Sequence, residues 1–205
     1  MRIAFPLFLS ALLGAAPPLQ ASVLTFDTVF DQTYGDVAGR LDVSYQGQSP
    51  GLAPGALSWW DAGYDELRGV AWYGRIDDGS VARIELRVLD GQEAALHGFR
   101  LGSWDATGLG RMESISVYRL EDSVAAFHAD ALIGAGNVST LFEPGLRSTR
   151  GFLIEWSNPW WTAIDDIRFD LAAATGVPVA GSLSLVLGAL AVMTPLAPMA
   201  ARRRR

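Results

Sequence analysis

Arg83-Ile84-Glu85-Leu86-Arg87-Val88 alternates charged and aliphatic side chains without a break. Successive side chains on an extended strand point to opposite faces. Ile84, Leu86 and Val88 therefore share one face, and Arg83, Glu85 and Arg87 share the other. The same alternation recurs on either side. Leu41, Val43 and Tyr45 fall on one face, as do Ile115 and Val117 between Ser114 and Ser116. Phe152, Ile154 and Trp156 alternate with Leu153 and Glu155, and Ile167, Phe169 and Leu171 alternate with Asp166, Arg168 and Asp170. No stretch between Val23 and Leu171 shows a 3.6-residue helical period.

Turn residues punctuate these runs. Asp77-Asp78-Gly79-Ser80 and Asp90-Gly91 read as hairpin turns, and Ser157-Asn158-Pro159 interrupts the last two strands. Gln46 to Ala56, with Pro50, Gly51, Pro54 and Gly55, reads as a long loop. Short alternating strands with turns about every 8 to 12 residues specify a sandwich or barrel. The expected fold is all-β, a single jelly-roll-like β-sandwich over residues 22–171, one inner face packed on the other.

The two ends differ from this middle. Met1-Arg2-Ile3, the apolar run Ala4 to Ala16 and Pro17-Pro18-Leu19-Gln20-Ala21 have the three parts of a secretory signal peptide, residues 1–21. Cleavage is expected after Ala21, with Ala16 as the alternative. After a short linker, residues 172–176, the 25 residues from Val177 to Ala201 carry no charge. A helix that long, at about 1.5 Å per residue, exceeds a hydrocarbon core of about 30 Å. Arg202-Arg203-Arg204-Arg205 follows directly. By the positive-inside rule these arginines stay cytoplasmic and the β domain lies outside. Pro195 and Pro198 are tolerable in such a span.

Charge narrows the partners. All 22 acidic residues lie between Asp27 and Asp170, with only 11 of the 16 arginines and no lysine beside them, a net −11 against −6 for the whole chain. A domain this acidic repels nucleic acid and anionic lipid. The chain has no cysteine, so an exported domain must hold together by its core alone, and thiol chemistry is excluded.

Val177-Pro178, the apolar span and the terminal arginines resemble the PEP-CTERM sorting signal, in its variant that opens Val-Pro-Leu-Pro-Ala. Here the opening is Val177-Pro178-Val179-Ala180, without the second proline. The resemblance covers about the last 30 residues. It implies transit through the export machinery, an inner-membrane anchor holding the domain in the periplasm, and processing by an exosortase-like enzyme. The products of that system are cell-surface or extracellular-matrix proteins of Gram-negative bacteria. Trp161 to Phe169 and Leu24-Thr25-Phe26-Asp27 likewise resemble the closing and opening strands of many ectodomains of this kind and of galactose-binding-like jelly rolls.

Two residue sets carry binding chemistry. Trp59, Trp60, Trp104, Trp160 and Trp161 are candidate ligand-binding residues, because an exposed ring can stack on the apolar face of a sugar while nearby carboxylates accept from its hydroxyls. Adjacent tryptophans on a strand face opposite ways, so one of each pair can pack the core instead. Asp27, Asp165 and Asp166 are candidate calcium ligands, gathered if the first and last strands lie together. Strand-end aspartates capping backbone amides are the alternative. His97 and His128 are the two histidines and form no HExxH pair. No nucleophile elbow, phosphate loop or dinucleotide fingerprint occurs, so the expectation is a non-catalytic, polysaccharide-binding surface protein. The alternatives are a structural matrix protein with calcium-linked self-association, and a polysaccharide hydrolase whose paired carboxylates are unmarked in the sequence.

Overall fold

The structure, a computed structural model, describes residues 20–75, 79–89 and 91–174. The greater part of the expected signal peptide, the end of the linker and the whole sorting signal, including Val177, Pro178 and Arg202 to Arg205, lie outside the described residues. The described residues belong to one compact unit, Met1–Ala174. Among them no helix is long and apolar enough to cross a membrane.

In chain order the strands are β1 (Gln20–Leu24), β2 (Leu41–Gln48), β3 (Gly55–Ala56), β4 (Ser58–Trp60), β5 (Val70–Trp72), β6 (Val81–Val88) and β7 (Gln92–Ser103). They continue with β8 (Arg111–Arg119), β9 (Ala125–Ile133), β10 (Thr140–Phe142), β11 (Leu146–Ser148), β12 (Gly151–Ser157) and β13 (Thr162–Ala173). Two antiparallel sheets form. A seven-stranded sheet runs β10-β7-β13-β5-β4, with β1 also on β13 and β11 also on β7. A six-stranded sheet runs β3-β2-β6-β12-β8-β9. The chain is therefore an all-β, two-sheet sandwich.

The alternation read from the sequence is the packing of the inner faces. Across the six-stranded sheet, Tyr45, Ile84, Ile154 and Val117 stand in register, as do Val43, Leu86 and Phe152, and Ala82, Trp156 and Ile115. All of these are buried. The facing sheet supplies Leu96, Phe99, Leu101, Ile164, Ile167, Phe169 and Leu171. Each such aliphatic or aromatic side chain contributes about 1.5–3 kcal/mol on burial. Trp156 is wholly buried and still satisfied, because its indole N–H donates to the Thr162 carbonyl at 2.9 Å. Phe26, Phe30, Tyr34 and Tyr45 pack ring against ring, joining the 25–40 segment to the core.

Two readings of turns and one of a loop are corrected. β5 and β6 lie in different sheets, and so do β6 and β7. Asp77-Asp78-Gly79-Ser80 and Asp90-Gly91 therefore join strands that cross from sheet to sheet, not hairpins; Asp77, Asp78 and Asp90 themselves lie outside the described residues. Asp-Gly chemistry encodes a reversal of direction, not the sheet in which the next strand pairs. Gln46 to Ala56 is not one loop. Gln46 pairs with Ala56 and Gly47 with Gly55, leaving only residues 49–54 as the connection. The glycines here serve a strand: a Cβ at Gly47 would run into the Tyr73 ring, which lies over both glycines. β7 and β9 were not anticipated as strands. β7 breaks the period of two at His97, and the inward face of β9 is mostly alanine.

Two neighbouring substitutions test the assignment of faces. In urea denaturation of Gln20–Ala174, the segment that carries every described strand, Phe152→Ala is expected to cost about 3–5 kcal/mol. Leu153→Ala, on the outer face, is expected to cost no more than about 1 kcal/mol. Equal losses would contradict the packing described.

Candidate functional site

Three of the five candidate tryptophans and the three candidate aspartates gather on the outer face of the seven-stranded sheet, where the loop from Asp61 to Gly69 crosses it. The loop turns at Tyr64–Leu67, with Asp65 in the left-handed region at φ 54°. It lies close because β7 offers Gly102 beneath it: a Cβ there would come within 2.7 Å of the Tyr64 carbonyl oxygen. Tyr64 and Leu67 bury against Val70, Trp72 and Ala163, a second apolar cluster distinct from the main core. The Tyr64 hydroxyl donates to the Trp160 carbonyl at 2.6 Å, tying the loop to the β12–β13 connection.

Three of the five candidate tryptophans meet on this cluster. Trp60 lies 5.4 Å from Trp104 and 5.6 Å from Trp72, centroid to centroid. Trp104 stacks on Trp160 at 6.3 Å with planes 16° apart, and Trp160 meets Trp72 edge-on at 4.9 Å. Trp60 keeps 37 % of its surface exposed at the rim. The other two are placed elsewhere. Trp59 turns to the core side, as adjacency to Trp60 requires, and donates its indole N–H to the Phe26 carbonyl at 2.6 Å. Trp161 carries the Arg111 guanidinium 4.0 Å above its ring, a cation–π contact.

Asp27, Asp165 and Asp166 do line one cleft, of about 290 Å³, together with Glu66, Arg68 and Arg100. A bulge in β13 creates it. Asp165 pairs with Arg100 and Arg168 with Gly98, so Asp166 and Ile167 together face one residue of β7. Asp166 takes φ 52°, and the extra residue returns Ile167 to the core. Asp165 is 4 % exposed and accepts the Phe26 N–H at 2.9 Å. Burial pushes its carboxyl up to about 6; Asp166 and Asp27 add to this, against the pull of the Phe26 amide. Arg100 crosses the cleft, with Nε 3.6 Å from Asp166, Nη1 3.7 Å from Glu66 and Nη1 donating to Ser139 Oγ at 2.9 Å. Burial raises the Glu66 carboxyl, but the Ser139 hydroxyl and amide, each at 2.6 Å, outweigh it and hold it low.

This geometry bears on calcium. Among the described residues, no group of three or more acidic or histidine side chains is spaced to hold a metal ion. Two arginines stand in the same cleft as the three aspartates and neutralise part of their charge. The histidines are not brought together either. His97, on β7, bonds Asp170 at 2.7 Å, and His128, on β9 of the other sheet, bonds Ser116 at 3.0 Å.

On the far side of the loop, Asp65, Ser103, Trp104, Asp105 and Asn137 line a pocket of about 240 Å³. Asp65 accepts the Ser103 N–H at 2.7 Å across a sequence separation of 38. Burial raises the Asp65 carboxyl, against the pull of that amide. Glu66, Arg100, Asp65 and Ser103 were not singled out from the sequence. The one available signal was the bracketing of Tyr64-Asp65-Glu66-Leu67-Arg68 by Gly63 and Gly69. No protein family matches this chain, and no curated protein matches it in sequence.

Asp165 makes stability depend on pH in a defined direction. Its folded carboxyl binds a proton more tightly than an unfolded one near 3.9, so its contribution falls as pH rises from about 4 to about 6. Asp165→Asn keeps an acceptor for Phe26 and removes the buried charge. It is expected to match the wild type at pH 4 and to exceed it by about 1–3 kcal/mol at pH 8. A variant less stable than wild type at pH 8 would show that the charge is compensated in the folded state.

Proposed function

We propose that this chain is an exported, non-catalytic protein of the cell surface or extracellular matrix, whose jelly-roll sandwich binds polysaccharide on the outer face of its seven-stranded sheet. The observation that carries the binding half is the convergence of Trp60, Trp104 and Trp160 on one cluster with Trp60 at its rim. Packed edges hold these rings, so little conformational entropy is lost when a sugar stacks on them. The exposed carboxylate of Asp61 lies in the adjoining loop as an acceptor for hydroxyls. Repeated crossing from one sheet to the other, as at β5–β6–β7, supports the jelly-roll form.

Export rests on the signal-peptide pattern of residues 1–21. The PEP-CTERM-like end, with Val177, Pro178 and Arg202 to Arg205, supports a membrane anchor and an exosortase-like processing partner. The acid excess of the domain argues against nucleic acid as a partner.

In affinity electrophoresis through gels containing soluble polysaccharides, Gln20–Ala174 is expected to be retarded by at least one polymer. Trp60→Ala should weaken that retardation roughly tenfold, about 1.4 kcal/mol. Retardation by none would refute the binding half. For the export half, the full chain expressed in a Gram-negative host should be found in the envelope fraction with its domain accessible to protease from the periplasm. Replacing Arg202 to Arg205 by serine should weaken that orientation. A cytoplasmic, protease-protected domain would count against export.

A further inference from the structure

We propose that the free edge of β9 is the interface through which two copies of this chain pair, antiparallel and two-fold symmetric, joining their six-stranded sheets into one. This pairing is independent of polysaccharide binding.

β9 ends the six-stranded sheet and is bonded to β8 on one side only. A free edge presents unpaired N–H and C=O groups, and folds blunt such edges with short strands, proline, lysine or bulges. The other strands at sheet edges here, β1, β3, β4, β10 and β11, have two to five residues. β9 has nine, Ala125 to Ile133, with no proline, lysine or arginine among them. A bulge at Ala125–Ala126 ends the regular ladder, which runs unbroken from Phe127 to Ile133. Phe127, Ala129 and Ala131 pack against the core and so fix which face of the strand is outward.

The neighbouring strand shows which groups are free. The Ser114 amide donates to Ser157 Oγ at 2.9 Å, toward β12. Even-numbered residues of β8 thus aim their backbone at β12, while Ile115 and Val117 aim theirs at Ala129 and Phe127. The backbone groups of His128 and Asp130 therefore point away from β8, to the open edge. The Thr140 hydroxyl, 3.4 Å from the Leu132 carbonyl, covers that same side one step further on. Among the described residues, no backbone group bonds that side of His128 or Asp130.

These two residues select a second copy as the occupant. Antiparallel pairing of two β9 strands about Ala129 sets His128 of each copy opposite Asp130 of the other, in both halves at once. Both residues turn their backbone to the edge, so each such pair exchanges two backbone hydrogen bonds. An imidazole N–H, charged or neutral, donates to a carboxylate, and directly opposed side chains of complementary type stabilise a sheet. The His128 and Asp130 side chains are 54 % and 66 % exposed and free to meet an incoming strand. Shifting the register by two residues would instead oppose His128 to itself or Asp130 to itself. Leu132 and Met112 stand in register on the same outer face, 45 % and 62 % exposed, and add apolar surface beside the joint. The interface is isologous, a strand addition in which each copy supplies the strand the other receives.

The experiment is sedimentation velocity of Gln20–Ala174, which contains both sheets, across a range of concentrations. Chelator is present to exclude calcium bridging, with salt near 0.15 M, where the like charge of two domains at net −11 is screened beyond about 8 Å. The wild type is expected to pass from monomer to dimer as concentration rises. His128→Asp sets a second carboxylate opposite Asp130 and should weaken the dimer about tenfold, because two attractive pairs become repulsive. Adding Asp130→His restores the opposition in the same register and should recover the dimer. Thermal unfolding at low concentration should be equal in all three, which separates loss of pairing from loss of fold. In the wild type, amide exchange at His128 and Asp130 should slow as the dimer forms. A wild type that stays monomeric, or a dimer that leaves these amides exchanging freely, overturns the interface. A dimer indifferent to His128→Asp, or one not recovered by the double exchange, overturns the register about Ala129.

Discussion

Ile164 and Ile167 are three residues apart, yet both must reach the same core. A regular strand cannot do this, because its faces alternate with a period of two. The bulge at Asp166–Ile167 resolves the conflict by inserting one residue into β13 opposite Phe99. Everything near the site depends on that insertion. β13 is the strand through which β7, β5 and β1 are joined in one sheet, so its inward residues set half of the core. With no cysteine to cross-link the fold, that apolar contact between sheets is what holds the domain together.

The same insertion has an electrostatic consequence. Asp165 and Asp166 both end up on the outer side of the sheet, next to Asp27 and Glu66. The cluster would repel itself without Arg100, which spans Asp166, Glu66 and Ser139 from the neighbouring strand. Arg100 thus does locally what the domain as a whole, at net −11, does not. Asp165 remains the most burdened member, because it is buried and its amide partner at Phe26 offsets only part of the cost.

Part of the outer face of the seven-stranded sheet is covered by a loop. Gly102 removes a side chain, so the Asp61–Gly69 loop can sit down on the strand and bury Tyr64 and Leu67. That loop then divides the face into two recesses of different chemistry. One is lined by carboxylates with arginines among them, and the other by carboxylates, a serine, an asparagine and one tryptophan. The tryptophans are at once packing and surface: Trp72 is buried, Trp60 is not, and Trp104 and Trp160 lie between them.

Local alternation made much of the fold legible. The inward faces of β2, β6, β8, β12 and the second half of β13 follow from single residues such as Leu41, Leu86, Val117, Ile154 and Phe169, because burial on one side of a strand imposes a period of two. The opposite facing of Trp59 and Trp60 follows from the same rule. Sheet membership did not follow, since Asp-Gly turns reverse a chain without naming its next neighbour, and β5, β6 and β7 alternate between sheets. β7 was hidden because its period shifts at His97 to match the irregularity of β13. The meeting of Asp27 with Asp165 was foreseeable from the pairing of first and last strands. The presence of Arg100 and Glu66 beside them was not, nor was the contact of Asp65 with Ser103. Those residues meet through tertiary packing alone, across separations that no local pattern records.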